Sequence, residues 1–447
     1  MLRTMLGRLV TLVVPALAVL VTALVLLGPG SARPALGARV HGLPVAGGTT
    51  LALRLTGARR LFGVDDVASL DDVRVEAHDG PTPLSAAHTS LGPDGVGEVV
   101  LHADTPLSGP ISLRVLRGEH VLVEGAVPLR PAAPLATKTG AVHGVGSGDL
   151  AIAVSTTRGQ LAAPFPEAVR IEIPGAAGVA IEASAPGAEI TPDKVITDAR
   201  GVASIRVKPV AHHVELELRA RALDGRTGRW EGLLPVLPGA VWLDPSRTQG
   251  ALVLVSPAPR ERVYVSIVAD EGRLLGAVVP LVQDAEGFFR GQFAFTPARG
   301  AQLVVSTDPQ ERGAGTVAWP LEPPEGAALA PRIEPLLDGM PDAEAREKAR
   351  AGRARRAAIQ VVGASALFEI LLLLVRSRRA QQKLEEGLAD AAVRGADPGL
   401  GLEVPVPEAD RRGVLRAARE RPTLRVALAV ALVLLAFAVV AAVSTFR

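Results

Sequence analysis

The sequence predicts a mainly β protein, built of tandem β-sandwiches and carrying about three transmembrane α-helices. Three observations lead to that prediction. Residues 37–321 hold short alternating strands bounded by Gly, Pro and Asp. An Asp-Gly turn followed by a strand recurs there three times, at the spacing of a small domain. Three apolar runs lie outside that region, one before it and two after it.

The apolar run over residues 357–375 organises the end of the chain. Its nineteen residues would cover about 30 Å as a helix, the thickness of a bilayer's hydrocarbon core. Arginine clusters at both ends can reach the lipid headgroups. Two more runs, 9–27 and the uncharged 426–446, bring the expected number of transmembrane helices to about three. The run 357–375 contains three polar residues, Gln360, Ser365 and Glu369.

The N-terminal run is typical of an export signal. Arg3 and Arg8 precede it, as in the n-region of such a signal. The run is longer than the roughly 7–15 residues of a cleaved h-region, which favours an uncleaved signal anchor over residues 1–30. Residues 30–32, Gly-Ser-Ala, offer a small-x-small site, so cleavage after Ala32 stays open as an alternative.

Loop charge predicts the orientation, because short basic loops stay in the cytoplasm. The segment 376–425 holds eleven Lys and Arg, against six in the segment before 357. We therefore expect a multi-pass protein of a bacterial inner (plasma) membrane, with residues of about 30–350 outside the cytoplasm. Six basic residues on the outer side break the rule in part. The inverted orientation would place the large region in the cytoplasm.

Composition narrows the class of protein. Of 447 residues, 48% are hydrophobic, and the mean hydropathy of +0.29 exceeds that of most soluble proteins. A net charge of +2 gives no field of the kind that attracts nucleic acid. The lack of cysteine excludes disulfides, thiolate metal sites and cysteine nucleophiles. Arginine-rich, asparagine-free usage indicates a GC-rich, bacterial genome.

An internal repeat gives the size of the domains. One pattern recurs in three segments: an Asp, then a Gly one or three residues later, then a predicted strand of alternating residues. The segments are 92–102, 197–207 and 283–295. The Asp side chain is expected to hydrogen-bond the turn backbone, while Gly takes the positive φ. The spacings, 198 − 94 = 104 and 284 − 198 = 86, match one immunoglobulin-like module. The repeat Asp residues are Asp94, Asp198 and Asp284.

A resemblance follows from these residues. The Thr-Asp-x-x-Gly-x-Ala-x-hydrophobic pattern of residues 197–205 resembles the late hairpin of bacterial immunoglobulin-like domains, as in invasin-type and macroglobulin-type modules. Residues 40–55 are similar to the start of macroglobulin-like envelope domains. Over about 290 residues the resemblance implies tandem immunoglobulin-like β-sandwiches with an extracytoplasmic binding or spacer role. It does not imply a thioester trap, because that chemistry needs a cysteine.

Pro-rich joints near 130–134, 234–239 and 320–340 mark the domain boundaries. The expected order is a signal anchor over 1–30, β-sandwich modules over 36–131, 141–236 and 239–322, a linker with a basic juxtamembrane helix over 323–356, transmembrane helices over 357–375 and 426–446, and a basic cytoplasmic loop over 376–425 between those helices.

Glycine and histidine motifs give no convincing site. Residues 144–148, Gly-Val-Gly-Ser-Gly, lack the spacing of a nucleotide fingerprint and are interpreted as a flexible linker. His212 and His213 are adjacent in a predicted strand, so their rings would point to opposite faces, and both are expected on the surface. The other histidines lack metal-ligand spacing and are interpreted in the same way: His41, His78, His88, His102, His120 and His143.

Acidic and aromatic residues give no convincing binding site either. Two acidic pairs could bind Ca²⁺ through carboxylate oxygens, but solvated loop residues are the simpler interpretation for Asp65, Asp66, Asp71 and Asp72. With only 3% aromatic residues, a sugar-binding face is not favoured, and a place in the core is expected for Trp230, Trp242, Trp319 and Tyr264. No catalytic, metal or cofactor site is predicted.

Glu369 is the one candidate site residue. It lies thirteen residues into the run 357–375, where an unpaired carboxylate is costly. One hypothesis is that Glu369 docks a partner helix in the membrane or relays a signal. The alternative is that it snorkels or faces a crevice without a role.

The leading functional hypothesis is a non-enzymatic envelope protein whose immunoglobulin-like modules act as a scaffold or protein-binding element. Its expected partners are the lipid bilayer and a membrane or envelope protein, and nucleic acid is not expected. One alternative is a receptor that passes ectodomain binding to a cytoplasmic partner through the basic loop. Another is an enzyme whose site lies between modules.

Overall fold

The computed structural model describes residues 2–27, 33–79, 82–132, 137–138, 140–248, 250–295, 300–312, 315–321, 327–328, 333–395, 433, 436 and 437. Its contacts divide the chain into two compact units. The β unit comprises Leu36–Arg59 and Asp66–Asp342, and the helical unit comprises Met1–Ala35, Arg60–Asp65 and Ala343–Arg447. As predicted, the fold is mainly β, with several sheets.

Module 1 consists of two sheets around one apolar core. The first sheet has the order β3-β2-β1-β31, with β6 also paired to β2, and the second has the order β5-β4-β7-β8. Inward-facing Leu and Val from both sheets form its core. The strands are β1 (Ala35–Gly42), β2 (Thr50–Leu61), β3 (Val64–Val67), β4 (Leu70–Asp79), β5 (Thr82–Leu91), β6 (Val96–His102), β7 (Ile111–Arg117), β8 (His120–Val127) and β31 (Glu334–Asp338).

Module 2 has two five-stranded sheets, β10-β12-β14-β18-β16 and β11-β20-β19-β15-β17, and a short parallel pair of β13 and β21. Both large sheets contribute to its core. The strands are β10 (Ala141–Val142), β11 (Gly144–Gly148), β12 (Ala153–Thr156), β13 (Leu161–Ala163), β14 (Glu167–Glu172), β15 (Ala180–Ser184), β16 (Ala188–Thr191), β17 (Lys194–Ile196), β18 (Val202–Pro209), β19 (Glu215–Arg221), β20 (Thr227–Leu233) and β21 (Val236–Pro238).

Module 3 has two four-stranded sheets, β22-β23-β27-β26 and β25-β24-β28-β29. Its core also takes in Ala162 and Phe165 of module 2. The strands are β22 (Trp242–Thr248), β23 (Ala251–Ser256), β24 (Arg262–Ala269), β25 (Gly272–Pro280), β26 (Val282–Gln283), β27 (Phe289–Ala294), β28 (Gln302–Ser306) and β29 (Val317–Pro320). Between the modules, β9 (Thr137–Lys138) pairs with β30 (Ala327–Ala328).

The Asp-Gly turns have the predicted structure in all three modules. Asp94, Asp198 and Asp284 each accept hydrogen bonds from turn N–H groups through Oδ1, at 2.9–3.2 Å. Glycines follow at positive φ, +70° at Gly95, +78° at Gly201 and +87° at Gly287. The two backbone N–H groups at Asp198 also hold the pKa of that carboxyl below its usual value.

Two segments that the sequence predicts to be irregular form strands in the structure. Residues 334–338, expected in a linker, pair as β31 with β1 and complete the first sheet of module 1. Gly144–Gly148, expected to be flexible, forms β11 against β20. A Cβ at Gly144 would lie 2.4 Å from the Trp230 ring, so glycine there permits close packing and does not signal flexibility.

The two described helices are α1 (Leu2–Leu27) and α2 (Met340–Gly395). Within the described part of the chain, one helical stretch, Met340–Gly387, is long and apolar enough to span a membrane. The apolar part of α1, Val13–Leu26, is shorter than that criterion requires. The expected number of about three spans is therefore not reached among these residues. The predicted helix over 426–446 and most of the predicted loop over 376–425 lie outside the described residues.

Candidate functional site

Modules 1 and 3 meet at a group of charged side chains, fully buried except for Glu98, which is 11% exposed; we call this group the charge cluster. Arg54 on β2 donates from Nε to Glu98 Oε1 at 2.5 Å and from Nη1 to Glu311 Oε1 at 2.9 Å. Arg273 on β25 donates from Nη2 to both oxygens of Glu98 at 2.9 Å. Ser266 Oγ accepts from Arg273 Nε at 2.9 Å and donates to Glu311. Two cations and two anions therefore neutralise one another.

Backbone contacts extend the charge cluster into module 3. Arg54 also donates to the carbonyls of Pro309, at 2.9 Å, and Val265, at 3.0 Å. Its guanidinium lies 5.4 Å from the centre of the Tyr264 ring. Apart from its bond to Glu98, every hydrogen bond that the Arg54 side chain donates therefore goes to module 3.

The charge cluster is not apparent from the sequence, because an alternating strand pattern favours a solvated arginine. Residues 51–55 alternate as Leu-Ala-Leu-Arg-Leu, which predicts an outward Arg54. In the structure all five are buried, since module 3 covers the outer face of β2. Residues 264–268 on β24 are also buried on both faces. The signal that could have found the site is a sheet whose outer face carries isolated polar residues among apolar ones.

His41, interpreted from the sequence as a surface residue, is only 2% exposed. Burial is the main cause that lowers its pKa to about 4, and the positive charges of Arg312, Arg54, Arg39 and Arg273 add to the effect. His41 is therefore neutral at pH 7. His212 and His213 are exposed as expected, although they lie before β19 and not in a strand.

Modules 2 and 3 meet at a second buried contact, the aromatic junction. Trp242 stacks on Phe165 with ring centres 4.7 Å apart and an interplanar angle of 4°. Trp242 Nε1 donates to Glu167 Oε1 at 2.6 Å. Arg158 donates to the Leu243 carbonyl at 2.8 Å, and its guanidinium lies 5.2 Å from the centre of the Trp319 ring.

Glu167 is the titratable group of the aromatic junction. Burial raises its pKa to about 7, and the charge of Arg158 and the bond from Trp242 oppose that rise only in part. Arg158 Nη1 lies 3.6 Å from Glu167 Oε1. The carboxyl therefore changes charge close to neutral pH. The aromatic residues expected in the core are buried, as predicted: Trp230, Trp242, Trp319 and Tyr264.

Glu369 lies on the buried face of α2 and is 4% exposed. The other buried residues of that face, Ala358, Val362 and Ser365, recur at helical spacing, and the first two form a cluster with Leu26 of α1 and Ala436. Neither oxygen of Glu369 has a hydrogen-bond partner in the described part of the chain. Ser365 Oγ likewise has none there.

The acidic pairs of module 1 do not gather into a metal site. Asp65 pairs with Arg60 at 2.7 Å and Asp66 with Arg59 at 2.5 Å, while Asp72 lies 2.8 Å from His88. Within the residues that the structure describes, no group of three or more His, Asp or Glu could hold a metal ion. Asp65 and Asp66 therefore lie in exposed ion pairs with arginines, and Asp72 lies in an exposed hydrogen-bonded contact with His88.

Comparisons with known proteins give structural neighbours only. No family model matches the sequence, and no curated protein does. The D0–D1 domain of intimin matches with a TM-score of 0.16 and 15% identity, over 45% of this chain and 97% of that chain. The adhesin InvE of Yersinia pseudotuberculosis matches with 0.17 and 14%, over 50% and 67%. The alpha-2-macroglobulin of E. coli matches with 0.17 and 10%, over 66% and 23%.

Bacterial adhesins with tandem immunoglobulin-like domains are thus among the neighbours, as the resemblance at residues 197–205 predicted. At these TM-scores the likeness carries no argument about this chain.

Proposed function

We propose that this chain is a non-enzymatic, membrane-anchored envelope protein whose three modules form a single platform for binding another protein. The observation that carries the proposal is the pair of buried junctions. Tandem domains joined only by Pro-rich linkers would move independently. Here charged and aromatic side chains are withdrawn from water to hold module 3 against both of its neighbours. A fixed arrangement of modules suits a surface that must present one shape.

The burial pattern of α2 supports a place in the membrane. Its buried face carries small and polar residues, whereas its exposed residues include Leu367, Phe368, Ile370 and Leu371. A helix in a soluble protein shows the opposite pattern, with its large apolar residues inside. In lipid, small residues face neighbouring helices and large apolar residues face the hydrocarbon chains.

The N-terminal helix supports a multi-pass arrangement on the same grounds. In α1 the buried residues include Ala18 and Thr22, while Leu17, Leu20 and Leu24 are more than half exposed. We therefore propose that α1 remains as a signal anchor beside α2, with residues of about 30–350 on the extracytoplasmic side of the inner membrane.

The topology is testable because the chain contains no cysteine. Single cysteines at Ser184, Ser377 and Ser444 would be labelled with an impermeant maleimide in intact spheroplasts. Labelling at Ser184 and Ser444, without labelling at Ser377, is the expected result. Labelling at Ser377 alone would place the modules in the cytoplasm and contradict the envelope function.

Glu369 remains the proposed docking residue for helices in the membrane. Its buried, unpartnered carboxyl on the packing face supports a role in helix association. Replacement by Gln would keep the hydrogen-bonding groups, while replacement by Leu would remove them. Native gels should show a membrane complex with Glu369→Gln that is lost with Glu369→Leu. Complexes unchanged in both variants would refute docking by this residue.

A receptor is the second candidate function. Ten residues of α2 beyond the apolar run, Arg376 to Glu385, include four basic side chains, and the helix continues to Gly395. A helix that continues past the membrane could carry a signal to a cytoplasmic partner. That function predicts that residues 376–425 alone bind a cytoplasmic protein, and failure to recover one favours the platform.

A further inference from the structure

The strand β11 forms one edge of the five-stranded sheet of module 2. It pairs on one side with β20, in an unbroken register from Gly144 opposite Gly232 to Gly148 opposite Gly228. All five of its residues are exposed, and the Val145 side chain is 78% exposed. The other side of β11 therefore presents backbone N–H and C=O groups to solvent.

This edge lacks the features by which proteins prevent edge pairing. Charged residues, proline and bulges are the usual protections, and β11 has none of them. The opposite edge of the same sheet, β17, is only three residues long and begins with the exposed Lys194. The contrast within one sheet indicates that β11 is an edge open to another strand.

We propose that β11 pairs antiparallel with β11 of a second copy of this chain, centred on Gly146. The sequence Gly-Val-Gly-Ser-Gly is nearly symmetric about that residue. A twofold contact needs such symmetry, because each residue meets its counterpart across the axis. Glycine would then face glycine, and Val145 would face Ser147 of the second copy, so no bulky side chains oppose one another.

The charges beside β11 favour the antiparallel arrangement. Within one copy, Val145 is paired with Glu231 on β20, and Ser147 is paired with Arg229. In antiparallel pairing, Val145 of one copy faces Ser147 of the second, so Glu231 of the first copy would lie in the same cross-strand row as Arg229 of the second. Parallel, in-register pairing would align Glu231 with Glu231. The charges on the outer face of this sheet therefore favour a twofold dimer, in which the two five-stranded sheets join into one continuous sheet.

The register can be tested with cysteines in the full-length, cysteine-free chain. Directly opposite residues of an antiparallel pair have Cβ atoms about 4.5–5.5 Å apart, close to disulfide geometry, while diagonal neighbours are about 7–8 Å apart. Val145→Cys and Ser147→Cys would be made in chains with tags of different length, mixed in detergent, and oxidised.

The expected result is a disulfide-linked dimer in the mixture and little or none with either variant alone. Equal cross-linking in all three samples would contradict the register. No cross-link in the mixture, or a disulfide to another protein, would contradict self-pairing.

A second variant separates pairing from folding. Val145→Lys places a charge on the edge, and because the side chain is exposed we expect module 2 to fold normally. The variant should sediment at half the mass of the wild-type complex. Leu223→Lys, in the exposed β19–β20 turn of the same module, is the matched control and should keep the wild-type mass. A monomeric wild type, or an unchanged Val145→Lys, would overturn the proposal.

Discussion

Strands β2 and β19 have the same alternating pattern but different surroundings. On β2, the arginine between leucines is fully buried and bonded to module 3. On β19, Arg219 occupies the same kind of position, remains largely exposed, and pairs with its own neighbour Glu217 at 2.9 Å. The difference shows that alternation identifies the two faces of a strand but not whether a second domain covers the outer one.

The largest effect is expected from breaking the charge cluster. Arg54→Ala leaves the buried carboxylate of Glu311 without its ion-pair partner and removes one of the two arginines that bind Glu98. Removing one partner of a buried ion pair typically costs about 3–5 kcal/mol. Urea unfolding of the purified protein, followed by circular dichroism, should show that decrease in the free energy of unfolding. A loss below about 1 kcal/mol would mean that the charge cluster does not hold the modules together.

Module 1 and the aromatic junction should respond to acid in opposite directions. In module 1, the lowered pKa of the buried His41 makes stability fall as pH decreases from about 6.5, its ordinary value, towards 4. At the aromatic junction, the raised pKa of Glu167 makes stability highest below about 4.5 and lower as pH rises through 7. Acid therefore destabilises module 1 and stabilises the aromatic junction.

Glu167→Gln tests the second response. Glutamine keeps an acceptor for Trp242 but cannot ionise. Because a shift of one pKa unit corresponds to about 1.4 kcal/mol, the stability of the variant relative to wild type should rise by about 3 kcal/mol between pH 4.5 and 8. Unfolding curves at several pH values would measure this difference.

Glu172→Gln, on the same strand but with a side chain that is 45% exposed, is the matched control and should show no such rise. If the difference between Glu167→Gln and wild type did not change with pH, Glu167 would not titrate at the junction.

The smallest effect is expected from Arg219→Ala on the outer face of module 2. Exposed ion pairs contribute little, because water already solvates both charges. The free energy of unfolding should change by about 0.5 kcal/mol or less. A loss similar to that of Arg54→Ala would show that the outer face of β19 is also covered, which would remove the contrast with β2.

Local features were predictable from the sequence, whereas features that depend on contacts between modules were not. The Asp-Gly turns follow from one residue's hydrogen bonds and its neighbour's φ, so residues 94–95, 198–201 and 284–287 were predicted correctly. The strand β31 has an ordinary sequence, and nothing local assigns it to β1, whose partner residue Arg39 lies 299 positions before Asp338. Gly144–Gly148 looked flexible because glycine is rare in strands, and only the nearby Trp230 ring explains why it is needed there.

The candidate sites divide in the same way. Glu369 was identifiable because a carboxylate within an apolar run is costly wherever the helix packs. Arg54, Glu98 and Glu311 were not, because their partners lie 44 and 257 residues away along the chain. A pattern of isolated charges does not distinguish a salt bridge between modules from a solvated surface.

The most direct test of the single-platform account is native-state hydrogen exchange, measured by mass spectrometry in increasing urea. If the charge cluster unites modules 1 and 3, the amides of β2 and of β24 should open together, with the same free energy and the same dependence on urea. Arg54→Ala should separate the two transitions. Amides of β2 that open in the wild type while β24 stays protected would contradict the account, and the modules would then be independent domains on a chain.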